Sequence, residues 1–439
     1  MKRALLIMII CLLYSKAFAQ DTLVLKDAIL EALENNYSIR VAEKNLEISE
    51  NMNFIGNAGM LPTIDASGSA QYSENDINME IQAGPQPQLI DQEGTINRDY
   101  STSVQLNWTL FDGFAMFHKL DKLGIQEEMS QTELKLSVEQ MLESLIQNYY
   151  EAVRLQRDLD ILSASIEASR ERLSRLETAA DYGGATSLQL LNTQVNLNND
   201  SSAYLQTELA YNNMIDAINF IMGRKIDQSF AVDMADIEFD EGNIRELRKK
   251  IQDNNLTILQ AAQNKEISQI EADLITARYA PVITGTAQYN FSRQESTGGF
   301  MTFNEQAGYS FGLNARINLF NGLQTITQDV NADIQIRIAD INVQRVKAQI
   351  DMNFMNLYRQ YQNLQKQAEF ERSALNSAEE NYRRTEDRLE LGQASSLELR
   401  EARLNLNRSR SRLNAAETRL ESTEARLRLL TGTLLNYEM

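Results

Sequence analysis

Val104-Gln105-Leu106-Asn107-Trp108-Thr109-Leu110-Phe111-Asp112-Gly113 alternates apolar and polar residues as far as Leu110, then ends on a turn-forming pair. Successive strand residues point to opposite faces, so this stretch predicts a β-strand with one apolar and one polar side. The passage is written twice. Tyr309, Phe311, Leu313, Ala315, Ile317 and Leu319 alternate in the same way, and Leu319-Phe320-Asn321-Gly322 closes the run 209 positions after its first occurrence.

The repetition extends outward in both directions. Towards the amino terminus, Asn35-Asn36-Tyr37-Ser38-Ile39 recurs as Asn254-Asn255-Leu256-Thr257-Ile258, and Pro62 recurs as Pro281, at an offset of 219. Towards the carboxyl terminus the offset is 209 for Tyr149/Tyr358, Leu155/Leu364, Gly183/Gly392, Ser187/Ser396 and Gly223/Gly432. A fixed offset over more than a hundred residues marks an internal duplication. Each copy reads helix, strand, loop, strand, long helix, tight turn, helix. The expected boundaries are 20–224 for the first repeat, 225–242 for a linker and 243–439 for the second repeat. Strands are expected near 63–72, 100–110, 282–291 and 308–319, with long helical hairpins over 114–222 and 323–431. The segments Glu74–Asp99 and Arg293–Gln306 read as outward-facing loops.

Four prolines punctuate 439 residues, at 62, 85, 87 and 281. The 193 residues between Pro87 and Pro281 and the 158 after Pro281 lack one, as very long helices require. After Gly113 no helix breaker appears until Tyr182-Gly183-Gly184, and after Gly322 none until Leu391-Gly392. Each run would reach roughly 100 Å at about 1.5 Å per residue. Val138, Leu142, Leu145, Tyr149 and Ala152 give the first run an apolar seam, resumed by Leu162, Ile166, Leu173 and Leu176. In the second repeat Leu399, Leu406, Leu413, Leu420 and Leu427 recur every seven residues. Mostly small residues follow three positions on (Ala402, Ser409, Ala416, Thr423 and Leu430), and such a seam lets helices approach closely. The short glycine turns favour antiparallel hairpins within a chain over a dimerising zipper.

Composition excludes several functions. One histidine and one cysteine leave no basis for histidine-dependent catalysis or a Cys/His metal site. A formal charge of −19 opposes nucleic-acid binding, and 43% hydrophobic residues exclude a disordered chain. The chain reads as a non-enzyme without cofactor or metal. Lys2 and Arg3, the apolar run Ala4–Leu13 and Ala17-Phe18-Ala19 form a secretory leader over 1–19. Its removal takes away Cys11 and three basic residues, leaving 39 basic against 61 acidic. Ile10 before Cys11 is unsuited to lipidation. No later segment is apolar enough for a transmembrane helix, so a membrane crossing would have to use strands.

Alternating strands suit a soluble sandwich or a membrane barrel; the leader and the lack of cysteines favour the barrel. Four strands cannot close one, and open edges are not tolerated in lipid. Several chains must share the barrel, eight strands from two or twelve from three.

The doubled unit, the Leu-Phe-(Asp/Asn)-Gly junctions and the Gly-x-x-x-Ser-Leu turns resemble the TolC-like outer membrane efflux proteins over nearly the whole mature chain. The resemblance implies a mainly α fold with a β-barrel part. In it, a homotrimer forms a twelve-stranded barrel continued by a periplasmic α-helical barrel of coiled-coil hairpins. It implies a passive exit duct in outer-membrane lipid, coupled through a periplasmic adaptor protein to an inner-membrane transporter. Drug efflux is expected ahead of protein secretion or metal efflux. A cell-surface structural or adhesive coiled-coil protein is the alternative, but it leaves the paired strands unexplained.

The resemblance also places the working residues. Adaptor docking falls on Tyr182, Gly183, Gly184, Ala185 and Thr186 at one tip, and on Leu391, Gly392, Gln393, Ala394 and Ser395 at the other. Acidic rings at the periplasmic constriction map to Glu398 and Glu401, where the first repeat has Gln189 and Asn192. Crowded carboxylates repel one another, which opposes ionisation and attracts cations. Ala394 replaces the arginine of that tip in relatives, so any gate latch must differ. Asp112, Gly113, Asn321 and Gly322 are expected to be structural. Trp108 is assigned to the lipid-facing side or an interfacial belt, and His118 to an ordinary helix position.

Overall fold

The computed structural model describes residues 22–82, 85–233, 244–298 and 301–431. The leader, most of the inter-repeat linker and Gly432 lie outside them. In chain order the elements are β1 (Thr22–Leu23), α1 (Leu25–Asn35), α2 (Tyr37–Met52), β2 (Thr63–Ile81), β3 (Gln88–Phe111), α3 (Ala115–Asp181) and α4 (Ser187–Ile221). There follow β4 (Ala231–Val232), α5 (Ile244–Asn254), α6 (Leu256–Thr276), a 3-10 turn (Ala277–Tyr279), β5 (Val282–Ser296), β6 (Phe303–Arg316), α7 (Gln324–Glu390) and α8 (Ser396–Leu430). The long helices α3 and α7 have 67 residues each and the returning helices α4 and α8 have 35 each.

The residues fall into two compact units. One holds 45–131 and 260–343 and contains the four-stranded sheet, in the order β2-β3-β5-β6, with every neighbour antiparallel. Strands β2 and β6 are its edges. The strands outrun the alternating pattern: β2 continues to Ile81 and β3 begins at Gln88, so much of Glu74–Asp99 is ladder and not loop. Ile77, Met79 and Ile81 carry an apolar alternation into this extension, and cross-strand pairing with β3 continues along it. A bulge lies between Asn75 and Ile77, and the Gly94 N–H donates to the adjacent Asp76 carboxylate at 2.7 Å. Similarly, β5 continues to Ser296 and β6 begins at Phe303. At its other end β6 stops at Arg316, short of the expected 319. Arg316 pairs with Val282, and Pro281 next to it has no N–H to extend the ladder.

Both strand-to-helix junctions turn through two successive left-handed residues. Gly113 and Phe114 have φ of 73° and 71°, and Gly322 and Leu323 have 69° and 66°. The Asp112 carboxylate accepts from the Met116 N–H at 3.1 Å, capping α3 from just outside it. Nearby, Trp108 donates through Nε1 to the Met60 carbonyl at 2.9 Å. His118 Nδ1 lies 4.0 Å from Asp273.

Among the described residues the second unit holds 22–44, 132–233, 244–259 and 344–431. Its core follows the expected seam: Leu142, Leu145, Tyr149 and Ala152 are fully buried, together with Ile218, Met222 and Ala425. Each large side chain taken out of water stabilises by about 1.5–3 kcal/mol. The Tyr149 hydroxyl is 2.8 Å from both the Leu23 and the Asp233 carbonyls, and burial pushes its pKa up to about 12. It ties down a two-residue parallel pairing of β1 with β4. Along α8, Leu399, Leu406 and Leu427 are buried, as are the small residues Ala402, Ser409, Ala416 and Thr423.

Helix α3 of the first repeat meets α8 of the second through a polar seam. Asn414 Nδ2 donates to the Arg154 carbonyl at 2.9 Å and to Asp158 Oδ1 at 3.1 Å, and Ser411 Oγ donates to the same oxygen at 2.7 Å. Further along, Arg403 donates to the Ser165 carbonyl at 2.6 Å and Asn407 to its hydroxyl at 3.1 Å. At the other end Arg426 pairs with Glu143 at 2.8 Å.

Candidate functional site

The hairpin tips are built by capping on both sides of a glycine. At the first, Gly184 N donates to the Ala179 carbonyl at 2.7 Å and Gly183 N to the Ala180 carbonyl at 2.9 Å, with Gly183 at φ 76°. At the second, Gln393 N donates to the Arg388 carbonyl at 2.7 Å and Gly392 N to the Leu389 carbonyl at 3.0 Å, with Gly392 at φ 72°. These contacts satisfy the last carbonyls of α3 and α7, and glycine supplies the left-handed residue that they require. A Cβ at either glycine would meet nothing within 4 Å, so conformation and not crowding selects glycine here.

The next helices begin with capping boxes. Thr186 Oγ1 accepts from the Gln189 N–H at 3.3 Å, while Gln189 Oε1 accepts from the Thr186 N–H at 2.9 Å. In the second repeat Ser395 Oγ accepts from the Glu398 N–H at 3.2 Å, and Glu398 Oε2 accepts from the Ser395 N–H at 2.6 Å and its hydroxyl at 2.8 Å. Glu398 is therefore a helix-cap residue. Hydrogen bonds from the Ser395 backbone and hydroxyl, with the nearby Arg388 charge, hold its carboxyl below the usual carboxylate range. Within one chain this opposes the rise expected from crowded like charges. Glu401 is exposed one turn further along α8. The spacing of three puts the two carboxylates on one side of the helix.

The tips also carry apolar side chains in the open. Tyr182 is 88% exposed, Leu391 71%, and Leu188 and Leu397, just past the caps, 67% and 69%. The last two were not among the expected docking residues, although their Ser-Leu repetition after each turn was visible. Ala394 is half-buried. Behind the tips, a cleft of about 190 Å³ lies between the hairpins, lined by Ser165, Arg172, Asp200 and Arg403 among others. Burial, and then the Arg403 charge, lowers the Arg172 pKa. Among the described residues no three His, Cys, Asp or Glu side chains gather as for a metal ion, and no helix is long and apolar enough to cross a membrane.

Two long helical hairpins and an antiparallel sheet with alternating strands are the parts of the chain, and comparison with known proteins gives its family. The chain matches the outer membrane efflux protein family over residues 28–224 and again over 247–433, and it belongs to that family. It is 23% identical over 336 residues to the proteases secretion protein PrtF of Dickeya chrysanthemi, covering 73% of this chain and 69% of that one. The CmeC outer membrane channel of Campylobacter jejuni superposes with a TM-score of 0.76 at 15% identity, over 93% of this chain and 86% of that one. The VceC outer membrane protein of Vibrio cholerae gives 0.72 at 17% identity, over 93% and 96%. The protein is thus a non-enzymatic outer membrane channel with a periplasmic extension, an exit duct of efflux or secretion systems.

Proposed function

We propose that three copies assemble into the duct, that periplasmic adaptor proteins dock on the hairpin tips, and that an inner-membrane transporter supplies the energy. The observation that carries this reading is the four-stranded sheet with two bare edges, β2 and β6. Such edges are not stable in lipid, and three chains give the twelve strands of a closed barrel. Docking rests on the open backbone turns at Gly183 and Gly392 with exposed Tyr182 and Leu391 beside them. In this reading Glu398 and Glu401 of the three chains line the constriction and favour cations.

Heat-resistant trimers in outer-membrane extracts are the expected result; recovery of the chain only as a soluble dimer would overturn the proposal. A second reading concerns cargo. Similarity to a protein named for protease secretion favours protein export alongside drug efflux. Export of a protease or of a dye, each with the gene deleted and restored, separates the two.

A further inference from the structure

The cleft behind the tips gathers positive charge in a chain whose formal charge is −19. Three guanidinium groups line it, Arg172 from α3 and Arg400 and Arg403 from α8. The one carboxylate among its described lining residues, Asp200 of α4, is already engaged. Its Oδ2 accepts from the Ser165 hydroxyl at 2.9 Å and from the Ser169 hydroxyl at 3.4 Å. Elsewhere on the same helices arginines find carboxylates, as Arg154 does with Glu151 and Asp158 and Arg412 does with Glu371. The cleft arginines do not. Arg403 donates to the Ser165 carbonyl at 2.6 Å, and among the described residues neither Arg172 nor Arg400 has a hydrogen bond or an ion pair.

An idle guanidinium is ordinary on a solvated surface, but Arg172 is half-buried. Its lowered pKa comes from that burial and from the neighbouring Arg403 charge, so it is both desolvated and repelled. The duplication does not account for the cluster. The equivalent positions, 209 residues away, are Asn381, Leu191 and Gln194, none of them charged. The three arginines therefore belong to this face alone, where the fold brings like charges together without a counter-charge.

We propose that the cleft binds a compact, doubly charged oxyanion, inorganic phosphate being the simplest, between Arg172 on α3 and Arg403 and Arg400 on α8. A guanidinium presents its N–H donors as a planar fork matched to such oxygens. The amides of Asn192, Asn196 and Asn199 line the same space and supply neutral donors, and a volume of about 190 Å³ takes the ion with part of its water. Bound there, the ion ties the long helix of the first repeat to the returning helix of the second. Every lining residue comes from one chain, so the site does not depend on the assembly proposed above.

Titration of inorganic phosphate into the purified oligomer in detergent, at constant ionic strength set with chloride, tests this. The phosphorus resonance should broaden saturably with one site per chain; sulfate should compete, and added chloride should not. Arg172→Gln and Arg403→Gln should each weaken binding about tenfold or more, as expected for the loss of a charge-assisted hydrogen bond. Arg408→Gln, an exposed arginine outside the cleft, should leave it unchanged. Phosphate should also raise the melting temperature of the unsubstituted oligomer and not that of the Arg172→Gln oligomer. Glycerol phosphate tests the source: weaker binding than inorganic phosphate is expected of a site for the free ion, and tighter binding would overturn that assignment. Absence of saturable binding to the unsubstituted oligomer overturns the site whatever the variants do. Unchanged affinity in Arg172→Gln, or equal weakening by Arg408→Gln, also overturns it, the latter by showing diffuse attraction.

Discussion

The Glu398 carboxylate closes on the Ser395 backbone N–H at 2.6 Å and on the Ser395 hydroxyl at 2.8 Å. The residue expected to line the constriction also fixes the start of the helix that carries it. Charge and cap can be separated, because the first repeat builds the same box from Thr186 and neutral Gln189. Glu398→Gln should keep the helix start and reduce cation selectivity in planar bilayers. Glu398→Ala should lose both, with a noisier conductance. Equal selectivity in the Gln variant and the parent chain would remove Glu398 from the permeation path. Ser395→Ala should cost about 0.5–2 kcal/mol through the cap alone.

The same hydrogen bonds set a pH dependence. A carboxyl held low in the folded state stabilises it above the unfolded pKa, and that contribution disappears as pH falls through the lower folded value. Selectivity due to Glu398 should therefore survive acidification below the usual carboxylate range. Single-channel reversal potentials along a descending pH series check this, and loss of the contribution at the ordinary carboxylate pKa would contradict it.

Tyr149 reports the other end of the scale. Its phenol is raised from about 10 to about 12 by burial, so its contribution is complete below the unfolded pKa and declines as pH rises towards the folded one. Burial also raises the Tyr211 phenol to about 12, so tyrosinate absorbance should show a late step shared by the two residues, and Tyr149→Phe should reduce its amplitude without abolishing it. The substitution should also cost about 1–3 kcal/mol by leaving the Leu23 and Asp233 carbonyls without their donor. Faster proteolysis near β1 is the corresponding readout.

The junction glycines should respond unequally. Alanine at Gly322 faces only the left-handed φ, about 1–2 kcal/mol, while alanine at Gly113 must also displace the Ala277 carbonyl. Gly113→Ala should therefore lower the yield of folded protein far more than Gly322→Ala. If both fall equally, the open space at Gly322 is filled in the assembled protein.

Closure of the barrel has a definite register. Strand β3 pairs with β5 so that Thr102 faces Phe291, and the repeat offsets convert that pair into Phe311 and Tyr72. Chains with Phe311→Cys and chains with Tyr72→Cys should form a disulfide between copies, whereas Phe311→Cys with Ala70→Cys should do so poorly. Reversal of that order would place β6 and β2 in another register.

Much of the architecture is legible in the residues themselves. Val104 to Leu110 announces a strand because one face needs apolar side chains, and the glycines at 183 and 392 announce turns because a left-handed residue needs no Cβ. Legibility stops where pairing, not side-chain chemistry, does the work. The stretch from Glu74 to Asp76 is strand because β3 lies beside it, and β1 with β4 joins residues more than two hundred positions apart. Leu188 and Leu397 were missed as tip residues because an apolar residue after a cap ordinarily enters the core. The box formed by Ser395 and Glu398 was readable as a Ser-x-x-Glu start signal, but a carboxylate assigned to a channel wall is easily stripped of its local duty.

The bare edges of β2 and β6 have a consequence for the life of the chain before it reaches the membrane. Two rows of unsatisfied amides and carbonyls are adhesive to any extended peptide they meet. A newly exported copy must be shielded in transit, and insertion is safest as a concerted event in which the last edge disappears as lipid closes around it. Overproduction that outruns escorting factors should end in aggregates seeded by the sheet, while the long hairpins remain soluble.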